Sequence, residues 1–386
     1  MLDIPIPPSS DAERIHWLQL IRSQNVGPRT FYKLIKLYGS ATKALEAIPE
    51  MAKRGGKKTK LKCCTIDQAQ NEWDQTERYG AHYIFAGDSN YPPQLCHIDD
   101  APPVLTVFGN KLYLKQDIIA FVGTRNASLS GCRLTQQLAQ EIGKQGYAVS
   151  SGLARGIDTA AHQGSLAQGT IAVIAGGINH IYPKENSNLY HQIAEKGCIL
   201  AESPFNAVPK AEHFPRRNRI ISGISWGVVV VEAAVRSGSL ITARLAGEQG
   251  REVMAIPGNP MDPRAAGPNK LLKSGATLIT SADDIIEAVN YMKHHPTAID
   301  NGLFERDNNS FTHQAAITPS PNEIENARHQ IQQSLNTTPI DINDLIVHCG
   351  VPASIIQAIL LELELAGRLE RHPGNRIALL ATNAVA

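Results

Sequence analysis

The stretch FPRRNRIISG, Phe214 to Gly223, sets Arg216, Arg217 and Arg219 within four positions and then turns apolar at Ile220 and Ile221. A guanidinium fork matches the oxygens of a phosphate bidentately, so phosphate capture is the chemistry such a cluster suits. Three further arginines recur in short motifs rich in Gly and Ser: Arg125 in VGTRNASLSG, Arg155 in SSGLARGID and Arg236 in EAAVRSGSLITAR. Glycine lets backbone amides approach an anion closely, and serine adds a hydroxyl donor. The competing reading pairs these arginines with Glu202, Glu212 and Glu232 in surface networks.

Catalytic constellations are sparse. Asp158 and His162 lie four apart in GIDTAAH and share one helix face. They suit acid-base work, or a capping carboxylate beside a hydrogen-bonded histidine. Glu232, before RSGS, either orients an arginine or acts as a base. Ser150, Ser151, Ser237 and Ser239 stand at no nucleophile-base spacing, which leaves hydroxyl donation to phosphate as their plainer role. The Gly-x-x-x-x-Gly-Lys-Ser/Thr loop is missing, and GTRNAS is not Gly-x-Gly-x-x-Gly, which disfavours an ATPase or a dehydrogenase.

The elements that must hold these motifs are legible from periodicity. IIAFVG, YAVSSG, TIAVIAGG, CILAES, WGVVVVEA and EVMAIPG are short apolar runs rich in Val and Ile, as strands buried on both faces should be. They alternate with helical segments such as SGCRLTQQLAQEIGKQG and GSLITARLAGEQG, which predicts a Rossmann-like parallel sheet over about residues 117–290. In such sheets ligands bind beyond the carboxyl ends of the strands. Every Arg motif follows a strand, so Arg125, Arg155, Arg216, Arg217, Arg219 and Arg236 are expected on one rim.

On either side the texture changes. Residues 11–47 carry helical spacing interrupted by NVGPRT, which reads as a tight turn between packed helices or as the phosphate-facing turn of a helix-hairpin-helix. KRGGKKTKLK reads as a solvated basic loop, and YPPQL and DDAPPVL as extended connectors. After Asn290 a polar, unperiodic stretch reads as a linker, and from about Glu323 three helices and a hairpin tipped by Gly374 and Asn375 follow in winged-helix order. The third of these helices, Ser354 to Ala366, holds Glu362 and Glu364 and no Lys or Arg, which suits a packing or protein-interaction role better than groove entry.

Bulk properties set limits. Lys and Arg total 37 against 36 Asp and Glu, a net charge of +1, so an anion site must be a local concentration of cations. The six cysteines form neither a Cys-x-x-Cys pair nor a zinc spacing, and no signal sequence or membrane-length apolar run is present; a cytoplasmic protein without metal or cofactor is expected.

Taken together, SGLARGIDTAAHQGSL, FPRRNRIISG, VVVVEAAVRSGSLITARLAGEQGREVMAIPG and GPNKLLKSGA resemble the DprA/Smf family of DNA-processing proteins. The resemblance implies an α/β fold: an extended Rossmann-like parallel sheet domain flanked by a small N-terminal helical domain, similar to a sterile-alpha-motif module, and a C-terminal winged-helix domain. It divides the chain into residues 1–80, 81–292, a linker at 293–322, and 323–386. It further implies a non-enzymatic factor that binds single-stranded DNA, protects incoming strands in natural transformation, loads the RecA recombinase in competition with single-strand binding protein, and dimerises. Carried onto this sequence, its pocket comprises Gly123, Arg125, Ser151, Gly152, Arg155, Gly156, Arg216, Arg217, Asn218, Arg219, Ser237 and Ser239, with Asp158, His162 and Glu232 as positioning residues. Tyr182 and Phe214 are the chief aromatic candidates for stacking. The domain is also similar to nucleoside-monophosphate phosphoribohydrolases, whose Gly-Gly-x-Gly-Thr-x-x-Glu motif is missing here; a nucleotide-binding enzyme or sensor is therefore the alternative expectation.

Overall fold

The structure, a computed structural model, describes residues 7–57, 61–294, 321–372 and 374–380. These fall into two compact units: the residues before His16 together with Asp67 to His294, and His16–Ile66 together with the chain from Pro321 on. The expected linker at 293–322 lies, apart from its ends, outside the described residues.

The N-terminal module is built from α1 (Asp11–Ile21), α2 (Pro28–Tyr38) and α3 (Ala41–Arg54). NVGPRT breaks the helical run because Pro28, having no N–H to lose, opens α2 at its first turn. α2 buries Phe31, Leu34 and Ile35, and the Phe31 ring meets Trp17 edge-on with centroids 4.9 Å apart.

The sheet unit continues with α4 (Ile66–Arg78), β1 (His82–Phe85), β2 (Val104–Gly109), β3 (Ile118–Val122), α5 (Leu129–Lys144), β4 (Ala148–Ser151), α6 (Ile157–Ser165), β5 (Thr170–Ile174), α7 (Ser187–Lys196) and β6 (Cys198–Ala201). It is completed by α8 (His213–Gly223), β7 (Gly227–Val230), α9 (Gly238–Glu248), β8 (Glu252–Ala255), α10 (Ala266–Lys273), β9 (Thr277–Leu278) and α11 (Ala282–His294). Nine strands lie in the order β1-β2-β6-β5-β4-β3-β7-β8-β9, and all neighbours from β6 to β9 are parallel. The chain steps from β3 outward to β6, then returns to β3's other flank as β7. The loops leaving β3 and β7 therefore diverge and open a crevice between them.

The six strands expected from apolar runs are β3 to β8. Every residue of β3 to β7 is buried, as coverage on both faces requires. One face packs Phe121, Leu138, Ile142, Val229 and Ile285 in one cluster and Ile174, Tyr190, Ile193 and Ile199 in a second cluster farther along the sheet. Each such side chain contributes about 1.5–3 kcal/mol of burial. Two expectations are corrected. The proline-set connectors are more than connectors: YPPQL runs into a 3-10 turn, Pro93–His97, and DDAPPVL runs into β2, which pairs antiparallel with β6 and β1. FPRRNRIISG, all three of whose arginines are expected on the rim, lies within α8, which buries Arg217 and Arg219 along with Ile220 and Ile221.

The C-terminal module comprises α12 (Pro321–Ser334), β10 (Ile340–Asp341), α13 (Ile342–Cys349), α14 (Ala353–Leu365), β11 (Leu369–His372) and β12 (Arg376–Leu379), with sheet order β10-β12-β11, a winged helix. α14 turns Ile356, Ile359, Leu360 and Leu363 into the module's own core. Its Leu361, Glu362 and Leu365 are buried as well, and α3 packs against it. Asn25 Nδ2 donates to Leu365 O at 2.9 Å, Arg368 Nη1 donates to Gly55 O at 3.3 Å, and a Cβ at Gly55 would lie 2.1 Å from Glu362 O. The helix that would enter a DNA groove is thus already occupied by protein. Among the described residues no helix is long and apolar enough to cross a membrane.

Candidate functional site

A cavity of about 390 Å³ opens at the crevice between β3 and β7. Gly123, Thr124 and Arg125 come from the loop after β3, Ala154 and Asp158 from the start of α6, and Phe214, Arg217, Asn218 and Ile221 from α8. Arg236, Ser237, Gly238, Ser239 and Thr242 complete the wall from the start of α9. Ser237 caps α9, its hydroxyl 2.6 Å from that of Ser239 and 3.3 Å from the Ser239 amide. The amino terminus of an eleven-residue helix, two hydroxyls and Arg236 therefore face one space, an arrangement that suits an oxyanion.

Arg217 reaches beneath the floor. It is buried, and Nη1 donates to Val173 O while Nε has no hydrogen-bond partner among the described residues. Burial lowers its pKa to about 10, with Asp158 pulling it up and Arg125 pushing it down, so it stays charged at neutral pH. Asp158 accepts from the Ala154 amide at 3.3 Å; burial raises its pKa against the pull of Arg217. His162 is fully buried, Nδ1 is 2.7 Å from Thr170 Oγ1, and burial together with Arg217 drives its pKa down to about 3. An imidazole this hard to protonate, one turn below the cavity, braces α6 against β5 and is poorly suited to shuttle protons near neutrality.

Six of the twelve pocket residues expected from the sequence line the cavity: Gly123, Arg125, Arg217, Asn218, Ser237 and Ser239. The others do not. Ser151 spends its hydroxyl on Phe121 O at 2.7 Å. Arg155 is exposed and sits 3.9 Å from Glu185. Arg216 is exposed on α8 outside the lining. Arg219 points to the opposite side, donating to Glu202 and, at 2.6 Å, to Asp100 O. The single rim of six arginines is thus narrowed to Arg125, Arg217 and Arg236, because successive α8 residues face different ways around the helix. Glu232 is an internal anchor: its carboxylate accepts from the Ser128 amide at 2.9 Å and from the Ser128 hydroxyl, tying β7's exit to the start of α5.

Two glycines outside the lining pack closely against it. A Cβ at Gly152 would lie 2.1 Å from Arg217 Nη1, and Gly156 has φ 76°, ψ −123°, with a Cβ only 2.3 Å from Thr124 O. Gly152→Ala should therefore displace the Arg217 guanidinium. The expected result is a stable protein with at least tenfold weaker anion binding, measured by titration and thermal melting; unchanged binding would rule out a role for Arg217's position.

Thr124, Gly238 and Thr242 were missed by sequence reasoning, although Thr242 stands one turn after Ser239. The aromatic candidates meet at the rim: Tyr182 and Phe214 have centroids 5.7 Å apart, Tyr182 is 48% exposed, and the Arg125 guanidinium lies 5.4 Å above the Phe214 ring.

Residues 82–290, which hold this entire cavity, match the family model described as DNA recombination-mediator protein A. The chain belongs to this family. Residues 11–74 match its DprA-like N-terminal HHH domain and residues 315–375 its DprA winged helix domain. Protein Smf of Escherichia coli is 39% identical over 77% of this chain and 78% of its own length. DNA processing protein A of Streptococcus pneumoniae superposes with a TM-score of 0.59 at 33% identity, covering 72% of this chain and 98% of that one. DNA processing protein A of Helicobacter pylori, studied for its single-stranded DNA binding mode, gives a TM-score of 0.51 at 28% identity over 55% of this chain and 96% of that one.

Proposed function

We propose that this member of the family is a single-stranded DNA-binding factor without turnover of its own, and that the crevice cavity holds the strand. The observation that carries the reading is the meeting of groups that donate to phosphate with an aromatic pair, half-buried Phe214 and exposed Tyr182: Arg236 and the start of α9 on one wall, Arg125, Phe214 and Tyr182 on the rim. Phosphates are taken by the first group and a base stacks on the second. The binding mode studied in the Helicobacter pylori relative supports the choice of ligand. From the family resemblance follow the further proposals that the chain protects incoming strands in transformation, hands them to RecA in competition with single-strand binding protein, and acts as a cytoplasmic homodimer.

The test is fluorescence anisotropy of labelled single strands of increasing length at several salt concentrations, with free mononucleotides as competitors. Three cavity cations predict a log-log salt slope of about −2, from about −0.7 per phosphate on single strands. Phe214→Ala should cost about 1–3 kcal/mol of affinity by loss of stacking. Length-independent binding that a mononucleotide abolishes would instead favour a small-nucleotide enzyme or sensor.

A further inference from the structure

The crevice cavity is open at its rim and closed at its floor. Arg125, Arg236 and Gly238 are exposed at the opening, whereas Val122, Asp158, Arg217, Ile221 and Thr242 are buried. Arg217 is tied to β5 through Val173 O, so the floor rests on the sheet. A volume of about 390 Å³ stands at the low end for a small-ligand pocket and suits about one nucleotide. A strand's end can enter such a cavity to the floor, whereas a continuous strand must double back to do so.

Charge favours an end as well. Three arginines line the cavity, and Asp158, the one carboxylate among the lining residues, is held toward its neutral form by burial. An internal phosphodiester carries a single negative charge. A terminal phosphomonoester carries about −1.5 to −2 at neutral pH and offers three acceptor oxygens. Together with the first diester behind it, a phosphorylated end brings about three charges within one nucleotide, which matches Arg125, Arg217 and Arg236. The donors are placed to receive it. Arg217 is 6% exposed, and its Nε has no hydrogen-bond partner among the described residues; a deeply seated oxygen would satisfy it. On the wall, the Ser237 and Ser239 hydroxyls stand at the amino terminus of α9.

We propose, resting on the reading of this cavity as the place where the strand binds, that it is a strand-end site: it seats a terminal phosphomonoester of single-stranded DNA between Arg217, Arg236 and the two serines, with the terminal base against Phe214 and Tyr182 at the rim. Arg125, exposed and 5.4 Å from the Phe214 ring centroid, takes the first diester as the chain leaves. Phosphorylated ends are thereby preferred over internal segments.

In the experiment, unlabelled strands of roughly 30 nucleotides compete with one labelled strand for the full chain. One is 5′-phosphorylated, one is 3′-phosphorylated, one has hydroxyls at both ends, and one is a circular single strand of the same composition. A phosphorylated end should raise affinity at least about tenfold over the hydroxyl-ended strand, as a charge-assisted hydrogen bond would. The strand that shows the gain names the polarity of the seated end. The circle should compete no better than the hydroxyl-ended strand, and equal competition by all four would overturn the proposal. A mononucleotide, which has the phosphomonoester but no diester behind it, should compete more weakly than the phosphorylated strand; equal strength would overturn the end site in favour of a nucleotide site. Arg236→Ala separates the two readings. If it weakens all four strands and none had shown an end preference, the strand still binds in the cavity and only the end site falls; if it weakens none, both fall. Ser237→Ala with Ser239→Ala should lower every affinity and bring the ratio of phosphorylated to hydroxyl-ended strands close to one. Ser237 caps α9, so should that variant melt more than a few degrees early, Ser239→Ala alone repeats the measurement, with the ratio expected to fall about threefold. An unchanged ratio would overturn the proposal.

Discussion

Arg219→Ala will lower the stability of the sheet unit by about 3 kcal/mol, read as an early urea midpoint, whereas Arg236→Ala will melt with the parent and lose about tenfold in single-strand affinity. Both are arginines in motifs that follow a strand in sequence. Arg219 is 8% exposed and ties Glu202 and Asp100 together across the start of β2; burial alone would lower its pKa, but the two carboxylates outweigh burial and raise it. Removing it takes from both carboxylates the cation that ties them in a half-buried site. Arg217 differs, because Asp158 beside it is already pushed toward its neutral form by burial and can take up a proton when the cation is gone. Were Arg219→Ala fully stable but unable to bind DNA, the division between anchor and ligand arginines drawn from α8 would be wrong.

Acid should unfold the sheet unit through His162. Its folded pKa of about 3 lies well below the usual 6.5, so the neutral ring is what the fold accepts. Above about pH 6.5 neither state is protonated and the contribution is complete; as pH falls from there toward 3 the unfolded chain takes up a proton that the folded one refuses. Stability should then drop by about 1.4 kcal/mol per pH unit from this group. Asp158, raised by burial, acts oppositely: its contribution is present below the unfolded carboxylate range and lost as pH rises. His162→Asn isolates the histidine. Urea midpoints of the variant should fall less steeply between pH 6 and 4, by close to one proton's worth; parallel curves would mean that the ring titrates freely in the fold.

The alternation of β3 to β8 with their helices was legible because buried parallel strands write themselves as continuous Val and Ile runs, such as IIAFV at β3. β1, β2 and β9 were not. β1 and β2 follow no crossover helix and lie around a proline-rich segment, and β9 is two residues long. The winged-helix order was equally plain from helical spacing, and so was the scarcity of positive charge on α14.

At the cavity, the amino acid types and their position after strands pointed to oxyanion chemistry, since only the ends of parallel strands carry Gly, Ser and Arg in such turns. What each arginine does was beyond the linear text. Arg216, Arg217 and Arg219 are near neighbours in sequence, yet α8 turns them about 100° per residue, sending one to solvent, one under the floor and one across to Glu202. Ser151 and Ser237 are likewise indistinguishable by type, and differ because one faces the Phe121 carbonyl and the other opens α9.

Sequence by itself determined the fold class and the set of motifs from which a site had to be drawn, because these depend on composition and local period. Tertiary structure alone decided which members of that set share the cavity, which are anchors, and that α14 is covered by α3. Those outcomes depend on helix rotation and on contacts between residues hundreds of positions apart, such as Asn25 with Leu365, and no local pattern encodes them.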